Sequence, residues 1–155
     1  MSGQGPTVAF HAGAGCAEAL DRAALARAMQ SLIPHFPRAV ARVDALLVGD
    51  AAMDEAHRRY SGVEGTTDVL SFPAHDEADA SVAVEVDLII STDVAAREAA
   101  ARGHDVAREV LLYAVHGTLH ACGFRDDTDE SAAAIHAEED RILSAGGIGP
   151  VYRAR

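Results

Sequence analysis

The sequence contains no lysine and no tryptophan, and it has only two cysteines. Cys16 and Cys122 are too few for a disulfide framework and neither lies in a CxxC pair, which fits a protein that folds in a reducing compartment. No uncharged run approaches the roughly 20 apolar residues that span a bilayer. The first residues, MSGQGPTVAF, lack the basic and apolar segments of a signal peptide. These absences predict a soluble, cytoplasmic protein with no membrane partner.

Positive charge is scarce. All 13 basic residues are arginines, and 24 acidic residues bring the formal net charge to −11. Because nucleic-acid-binding surfaces usually neutralise phosphates with lysine and arginine, this composition excludes a broad basic binding face. For an RNA substrate, the positive charge must come from a metal ion and a few arginines in one cleft, or from a partner already on the RNA. The simpler interpretation is an acidic surface that keeps the protein soluble.

The 155 residues fit one domain, and no internal repeat or linker divides them, so we expect a single domain over residues 1–155. Hydrophobic periodicity and turn residues locate the elements. The resulting prediction is an α+β fold in which about four strands form a small mixed sheet covered by about five helices. The predicted strands are 7–10, 38–49, 66–73 and 83–91, and the predicted helices are 16–33, 50–62, 92–102, 105–122 and 128–144.

Turn-forming and capping residues set several of these boundaries. Pro34 is predicted to end the first helix, Asp50 to cap the second and Gly62 to stop it. Residues 74–82 contain several acids and no periodicity, which predicts an exposed loop.

Two histidines lie four residues apart in the segment AVHGTLHACGF. At this spacing His116 and His120 share one face of a largely buried helix. Two neutral imidazoles so placed can bind one divalent metal ion, and they could equally be two hydrogen-bonded core histidines. The pair alone is weak evidence, because the chain has eight histidines.

The residues after this pair favour a metal site. Gly123 ends the helix, so a carboxylate from Asp126, Asp127 or Asp129 can return over the histidine face. Two histidines and a carboxylate with an open position are typical of hydrolytic zinc sites, and iron or nickel would also accept them. Alternatively, these acids cap the next helix near Thr128.

Peptide hydrolysis is disfavoured. HExxH metallopeptidases use the glutamate after the first histidine as general base, and this chain has Gly117 there. Glu85 and Glu109 are the nearest alternatives in the sequence, and both are more simply surface or strand-edge acids.

Three other residues near the motif have structural explanations. Cys122 follows His120 by two positions and therefore points away from the metal face, as a buried thiol would. His136 belongs to an amphipathic stripe with Ile135 and Glu139, which suggests a residue at the edge of the core. His104 follows Gly103 and is most simply part of a turn.

Three segments are similar to the motifs of one known family. They are HGTLHACGFRD (116–126), YSGVEGTTDVLSFP (60–73) and VEVDLIIS (84–91). They resemble HGxLHLxGYDH, YRGxDxPTDVLSFP and LGDIVIS of the YbeY endoribonucleases, also called rRNA maturation factors. The similarity extends over roughly residues 40–145 in the same order and spacing.

The resemblance implies a small α+β domain that binds one zinc ion through the histidines of the helix motif. His116 and His120 match two of these ligands, and Asp126 stands where the family has its third histidine. A carboxylate at that position lowers the charge of the site by one and makes a zinc-bound water less acidic.

The implied activity is metal-dependent, single-strand-specific RNA cleavage in late rRNA maturation at the small-subunit rRNA 3′ end, together with ribosome quality control. In such a reaction zinc polarises a phosphoryl oxygen or activates a water, and a nearby cation stabilises the transition state. The 2′-hydroxyl of RNA could serve as nucleophile instead. The implied partners are ribosomal RNA and either ribosomal proteins or an assembly GTPase.

Two departures leave the catalytic arginine unassigned. The arginine of the family's YRG is replaced by Ser61, and an asparagine before it by His57. Its role could pass to Arg58, Arg59 or Arg125, or these arginines could be ordinary surface residues.

Two further residues could line the cleft. Asp68 and Ser71 belong to TTDVLSFP, and the simpler interpretation is that Asp68 caps a turn and Ser71 faces solvent. A function of a different class also fits the charge and the missing arginine. In that alternative, the protein is a non-catalytic ribosome-assembly factor with a structural zinc, and its acidic surface binds basic ribosomal proteins.

Overall fold

Four strands in the described part of the chain form one mixed sheet, in the order β1-β2-β4-β3. The computed structural model describes residues 5–16 and 19–149. β1 and β4 both run parallel to β2, whereas β3 pairs antiparallel with β4 at the edge of the sheet. The strands are β1 Thr7–Ala12, β2 Val40–Val48, β3 Val69–Pro73 and β4 Val84–Ser91.

Five α-helices in the same part of the chain accompany this sheet. α4 packs on β3 and β4, α1 packs on β1, and α5 packs on α4. The predicted α+β fold is confirmed. No helix among the described residues is long and apolar enough to cross a bilayer. The helices are α1 Arg22–Leu32, α2 Asp50–Ser61, α3 Thr92–Arg102, α4 Val106–Ala121 and α5 Asp129–Ala145.

Alternating apolar and polar residues along β2 and β4 give the sheet an apolar face and a polar face. On the polar face Arg42 forms ion pairs with Asp44 at 2.5 Å and with Asp87 at 2.9 Å. The apolar face packs against α4, and most of the buried apolar side chains that the sheet contributes to the core lie on this face. Its buried cross-strand pairs are Val43 with Val86, Ala45 with Leu88, and Leu47 with Ile90.

The first helix is shorter than predicted. α1 begins at Arg22 rather than near residue 16, because Asp21 caps it by accepting the backbone N–H of Ala24 at 3.0 Å. Residues 17 and 18 of the predicted helix lie outside the described residues. Pro34 does not end the helix directly, since it lies in a 3₁₀ turn, Ile33–His35, that follows α1.

The cap of the second helix also differs from the prediction. Gly49 occupies the N-cap position of α2, and Asp50 is the first helical residue. The carboxylate of Asp93 accepts the N–H of Asp50 at 2.8 Å, so a side chain from α3 caps the N-terminus of α2. The end of α2 follows the prediction, because Gly62 adopts a φ of 70° there.

The acidic segment between β3 and β4 is the exposed loop that the sequence predicts. Arg38 ties it to the rest of the molecule by donating to the carbonyl oxygens of Asp79 at 2.8 Å and Val82 at 3.0 Å. The loop therefore has a defined position, and it brings Glu77 toward the C-terminal end of α4.

Candidate metal centre

The C-terminal half of α4 places His116 and His120 side by side. Their Nε2 atoms are 3.0 Å apart and their rings meet edge to face, with centroids 4.6 Å apart. Both histidines are only partly buried, on a helix that is otherwise enclosed by the core. The buried apolar residues that fix the rotation of α4 include Val110, Leu111, Ala114, Val115 and Leu119.

The turn after α4 orients His120. Gly123 has a φ of 108°, which lets the chain reverse so that the N–H of Phe124 donates to the carbonyl of Leu119 at 3.0 Å. His120 Nδ1 donates to the carbonyl oxygen of Phe124 at 2.9 Å. Because a carbonyl can only accept, this bond leaves the lone pair of the neutral ring on Nε2.

The side chain of Asp126 lies over the face of α4 that carries His116 and His120, as its motif position predicts. Its Oδ2 lies 3.3 Å from His116 Nε2 and 3.4 Å from His120 Nε2. The two alternative acids are not part of this group: Asp127 lies beside it and pairs with Arg125 at 3.3 Å, and Asp129 is the first residue of α5.

The spacing of these three atoms fits a metal ion. Ligands about 2.0–2.1 Å from a tetrahedral zinc ion are roughly 3.3 Å apart, and the three separations here are 3.0, 3.3 and 3.4 Å. Two imidazole nitrogens and a carboxylate oxygen are also ligand types that zinc accepts. His116, His120 and Asp126 therefore form a group that could hold a metal ion.

Behind His116 lies a buried acid that the sequence did not identify as part of the site. Glu139 of α5 is 1% exposed, and it accepts a hydrogen bond from Nδ1 of His116. Its other oxygen is 2.9 Å from Nδ1 of His136, whose ring stacks on that of His116 at a centroid distance of 6.1 Å. Its only sequence signal is an acid within the apolar stripe that includes Ile135 and Ile142.

These neighbours change the acidity of His116. Burial alone would lower the pKa of its imidazolium, but the hydrogen bond to Glu139 and the charges of Glu139, Asp68 and Asp126 raise the pKa above its ordinary value. Two Nε2 lone pairs and a carboxylate oxygen thus converge on one point, an arrangement that only a proton or a metal cation stabilises.

His116, His136 and Glu139 form a second group whose atoms lie close enough to hold a metal ion. In this group Glu139 is enclosed and already hydrogen-bonded to both rings. The first group opens instead to a pocket of about 280 Å³ that is lined by His120, Asp126 and Arg125, with Glu77 from the acidic loop. A substrate could reach only the first group through this pocket.

Of the three arginines considered from the sequence, Arg125 is the one that lines the pocket. Its side chain is 75% exposed and its ion pair with Asp127 is at the surface. Arg58 and Arg59 are exposed in the last turn of α2. Ser61 ends that helix, where the family has its arginine.

The TTDVLSFP segment supports α4 from the sheet. Ser71 Oγ donates to the carbonyl oxygen of Gly117 at 2.7 Å, so Ser71 does not face solvent as the simpler interpretation expected. Asp68 accepts the N–H of Val69 at 2.7 Å, as a turn-capping residue would. Its charge nevertheless acts on His116.

One expectation outside the site is wrong. Glu109 is not a surface acid, because its side chain is fully buried. It pairs with Arg102 at 2.6 Å and with His104 at 2.7 Å. His104 lies in the turn between α3 and α4, as predicted, and its ring also contacts this buried carboxylate. Cys122 is partly buried, and burial raises the pKa of its thiol to about 11, which fits a structural thiol.

The sequence profile described as Endoribonuclease YbeY matches residues 16–147, which include the whole candidate metal centre. The chain belongs to the YbeY family. Curated relatives named Endoribonuclease YbeY include one from Moorella thermoacetica, 40% identical over 116 residues that cover 70% of this chain and 74% of the relative. Another, from Frankia casuarinae, is 39% identical over 147 residues, with coverage of 89% and 72%.

A YbeY relative from Thermus thermophilus is 34% identical over 130 residues that cover 76% of this chain and 94% of the relative. Among solved structures, a protein from Thermotoga maritima studied in solution matches with a TM-score of 0.52 and 18% identity, covering 88% of this chain and 90% of that one. At that identity the match supports the fold alone. The match to the family model and the curated relatives confirm the predicted membership of the YbeY family.

Proposed function

We propose that the protein is a metal-dependent endoribonuclease. Membership of the YbeY family supports an RNA-cleaving hydrolase. The observation that supports metal dependence is the convergence of two histidine nitrogens and one carboxylate oxygen within 3.0–3.4 Å of one another, beside an open pocket. The proposed substrate is single-stranded ribosomal RNA, cut in late maturation at the small-subunit rRNA 3′ end, with a role in ribosome quality control.

In this proposal His116, His120 and Asp126 hold one zinc ion. Bound zinc supplies Lewis-acid stabilisation of negative charge on the phosphate. His120 is held by its bond to Phe124, so its Nε2 stays directed at the ion position.

Arg125 is the residue we propose to bind the phosphate. Its guanidinium lines the pocket, and its exposed ion pair with Asp127 is worth no more than about 1 kcal/mol. Arg125 can therefore exchange Asp127 for a phosphate oxygen at little cost, and the fork of its N–H groups suits phosphate recognition.

The acidic surface makes a partner part of the proposal. With a net charge of −11, the protein gains little from non-specific attraction to RNA. Basic ribosomal proteins or an assembly GTPase would bring the RNA to it. A role in ribosome maturation would be carried out in the cytoplasm.

The same charge, with Ser61 in place of the family arginine, favours a second candidate function. In this alternative the metal is structural and the protein is a non-catalytic assembly factor. The two functions differ in whether metal-loaded protein cuts RNA.

The first experiment counts metal in purified wild-type protein and three variants. About one zinc per chain is expected for the wild type and for Asp127→Ala, and none for His116→Ala or Asp126→Ala. Asp127→Ala is the matched control because Asp127 is adjacent and acidic but pairs with Arg125. Loss of zinc from Asp127→Ala with retention in Asp126→Ala would assign the third ligand to Asp127.

The second experiment incubates the same four proteins with a single-stranded ribosomal RNA fragment. Wild type and Asp127→Ala should cut it, whereas the two zinc-free variants should lose activity. Zinc-loaded wild-type protein that leaves the RNA intact, even on a pre-ribosomal particle, would refute the endoribonuclease proposal and support the assembly factor.

A further inference from the structure

The back of His116 faces α5 rather than the pocket. There the carboxylate of Glu139, 23 residues further along the chain, accepts the N–H of Nδ1. Glu139 is 1% exposed, so its charge has lost almost all contact with water. A buried carboxylate is costly unless its oxygens are hydrogen-bonded, and here each oxygen contacts a histidine ring.

His136 holds the second oxygen of Glu139. Its Nδ1 lies 2.9 Å from Oε1, and its ring is within 25° of parallel to the ring of His116. His136 and Glu139 are three residues apart on one helix, so the docking of α5 fixes both together. The carboxylate is thereby held in one orientation.

We propose that Glu139 is a positioning residue for the metal centre. By accepting from Nδ1, it keeps His116 in the tautomer whose lone pair is on Nε2, the atom that faces Asp126 and His120. It also fixes the rotation of the ring and makes Nε2 a more basic, stronger ligand for a metal ion. The inference rests on the proposed role of His116 as a metal ligand.

A second metal ion between Glu139 and the two histidines is the competing explanation. It would require His116 to give up the proton on Nδ1 while Nε2 binds the first ion. It would also place the second ion where the carboxylate and the rings already contact one another. The hydrogen bond explains the same contacts with one proton and no further ion.

The tautomer can be measured without metal. In metal-free wild-type protein in alkaline buffer, long-range ¹⁵N–¹H correlation spectra should show His116 protonated on Nδ1, with the signals assigned by their absence from His116→Gln. Protonation on Nε2 would overturn the proposal. This measurement does not depend on whether any Glu139 variant folds or on whether the protein cuts RNA.

The energetic test compares zinc affinity in Glu139→Gln and Glu109→Gln. Both changes remove the charge of a fully buried carboxylate from the same molecule, but Glu109 pairs with Arg102 and His104 instead of a ligand. Competition with a chromophoric chelator should show binding about 10- to 100-fold weaker in Glu139→Gln. Glu109→Gln should bind like the wild type.

Cobalt substitution adds a spectroscopic readout. The visible spectrum of the cobalt-loaded protein should change in Glu139→Gln and stay unchanged in Glu109→Gln, because only the first changes the hydrogen bond of a proposed ligand, His116. Equal zinc affinity and equal cobalt spectra in the two variants would refute a positioning role. If the wild type bound no zinc, the metal centre itself would be wrong, and the tautomer would still decide whether Glu139 orients His116.

Discussion

Glu109 shows what a single buried charge requires. Its carboxylate is enclosed where α3 meets α4, and Arg102 and His104 contact it at 2.6 and 2.7 Å. Burial alone would raise the pKa of Glu109, but hydrogen bonds from Tyr113, Arg102 and His104 together lower the pKa below its ordinary value. Folding therefore favours the charged form of this residue.

This shift gives a stability prediction with a definite sign. Because the folded pKa is depressed, the contribution of Glu109 is fully present above the ordinary glutamate pKa of about 4.3 and is lost as the pH falls through the lower folded value. At neutral pH Glu109→Gln should lower the free energy of unfolding by about 2 kcal/mol. The difference from wild type should shrink as the pH drops below about 4.

Urea denaturation at neutral and acid pH measures this effect, with the exposed Glu55→Gln of α2 as the control. Glu55→Gln should remain within about 0.5 kcal/mol of wild type at both pH values. A Glu109→Gln protein as stable as wild type at neutral pH would show that the ion pairs only offset the cost of burial.

The sequence predicted some of these residues and not others, for a physical reason. His116 and His120 are neighbours on one helix, and motif position indicated Asp126 immediately beyond it. Glu139 lies 23 residues from its partner on another helix, so the contact exists only once α5 docks. A buried acid has no local signature apart from its place in an apolar stripe, and the same holds for Glu109.

At the scale of elements, α4 lies close against the sheet at Gly117. A Cβ at this position would lie 2.6 Å from Cδ2 of Leu88 on β4 and 3.1 Å from Cγ2 of Val69 on β3. Ser71 Oγ also bonds the carbonyl oxygen of Gly117 from the sheet side. The two candidate histidine ligands therefore flank a close helix–sheet contact of α4.

Gly117→Ala tests this contact. Alanine in a helix normally gains about 1 kcal/mol over glycine, but overpacking a buried site costs about 1–3 kcal/mol. We expect the variant to unfold at lower urea concentration than wild type. We also expect its zinc affinity to fall, because α4 must shift or Leu88 must repack beneath the histidines to admit the methyl group.

The control is Ala134→Gly at an exposed position of α5, which measures the propensity effect without packing. It should cost about 1 kcal/mol. If Gly117→Ala instead raised the free energy of unfolding by a similar amount, the Leu88 side chain would be shown to move aside at little cost.

Element types were predictable because strands and helices differ in hydrophobic periodicity, whereas the start of α1 and the cap of α2 were not. The start of α1 depended on Asp21, and the cap of α2 depended on Asp93, 43 residues after Asp50. Local patterns indicate which element forms. Capping side chains, one of them from another element, complete the helix starts that periodicity leaves undefined.

For the whole molecule, the decisive property is how few arginines are available to RNA. Several already pair with carboxylates: Arg42 pairs across the polar face of the sheet, Arg97 with Asp50, Arg102 with Glu109, and Arg141 with Glu138. The acidic surface around them repels phosphate. Affinity for naked RNA should therefore depend on Arg125 and on bound metal.

Salt dependence tests this distribution of charge. Anisotropy titrations with a cleavage-resistant 2′-O-methyl oligoribonucleotide should give a shallow dependence of log affinity on log salt. Each phosphate contact contributes a slope of about −0.7 on a single strand, so Arg125→Ala should make the slope shallower by about 0.7.

Arg59→Ala is the matched comparison, since Arg59 is an exposed arginine of α2 that does not line the pocket. It should leave the slope unchanged. A change with Arg59→Ala and none with Arg125→Ala would move the phosphate contact to α2, close to the position where the family has its lost arginine.

The tight fit at Gly117 also limits what this scaffold could become. A glutamate between His116 and the next turn would complete the HExxH motif of a metallopeptidase, but its Cβ would collide with Leu88. A glutamate at this position would therefore fit only if the Leu88 side chain or α4 also moved. Laboratory evolution toward new substrates should therefore start from the pocket rim, at Glu77 and Arg125.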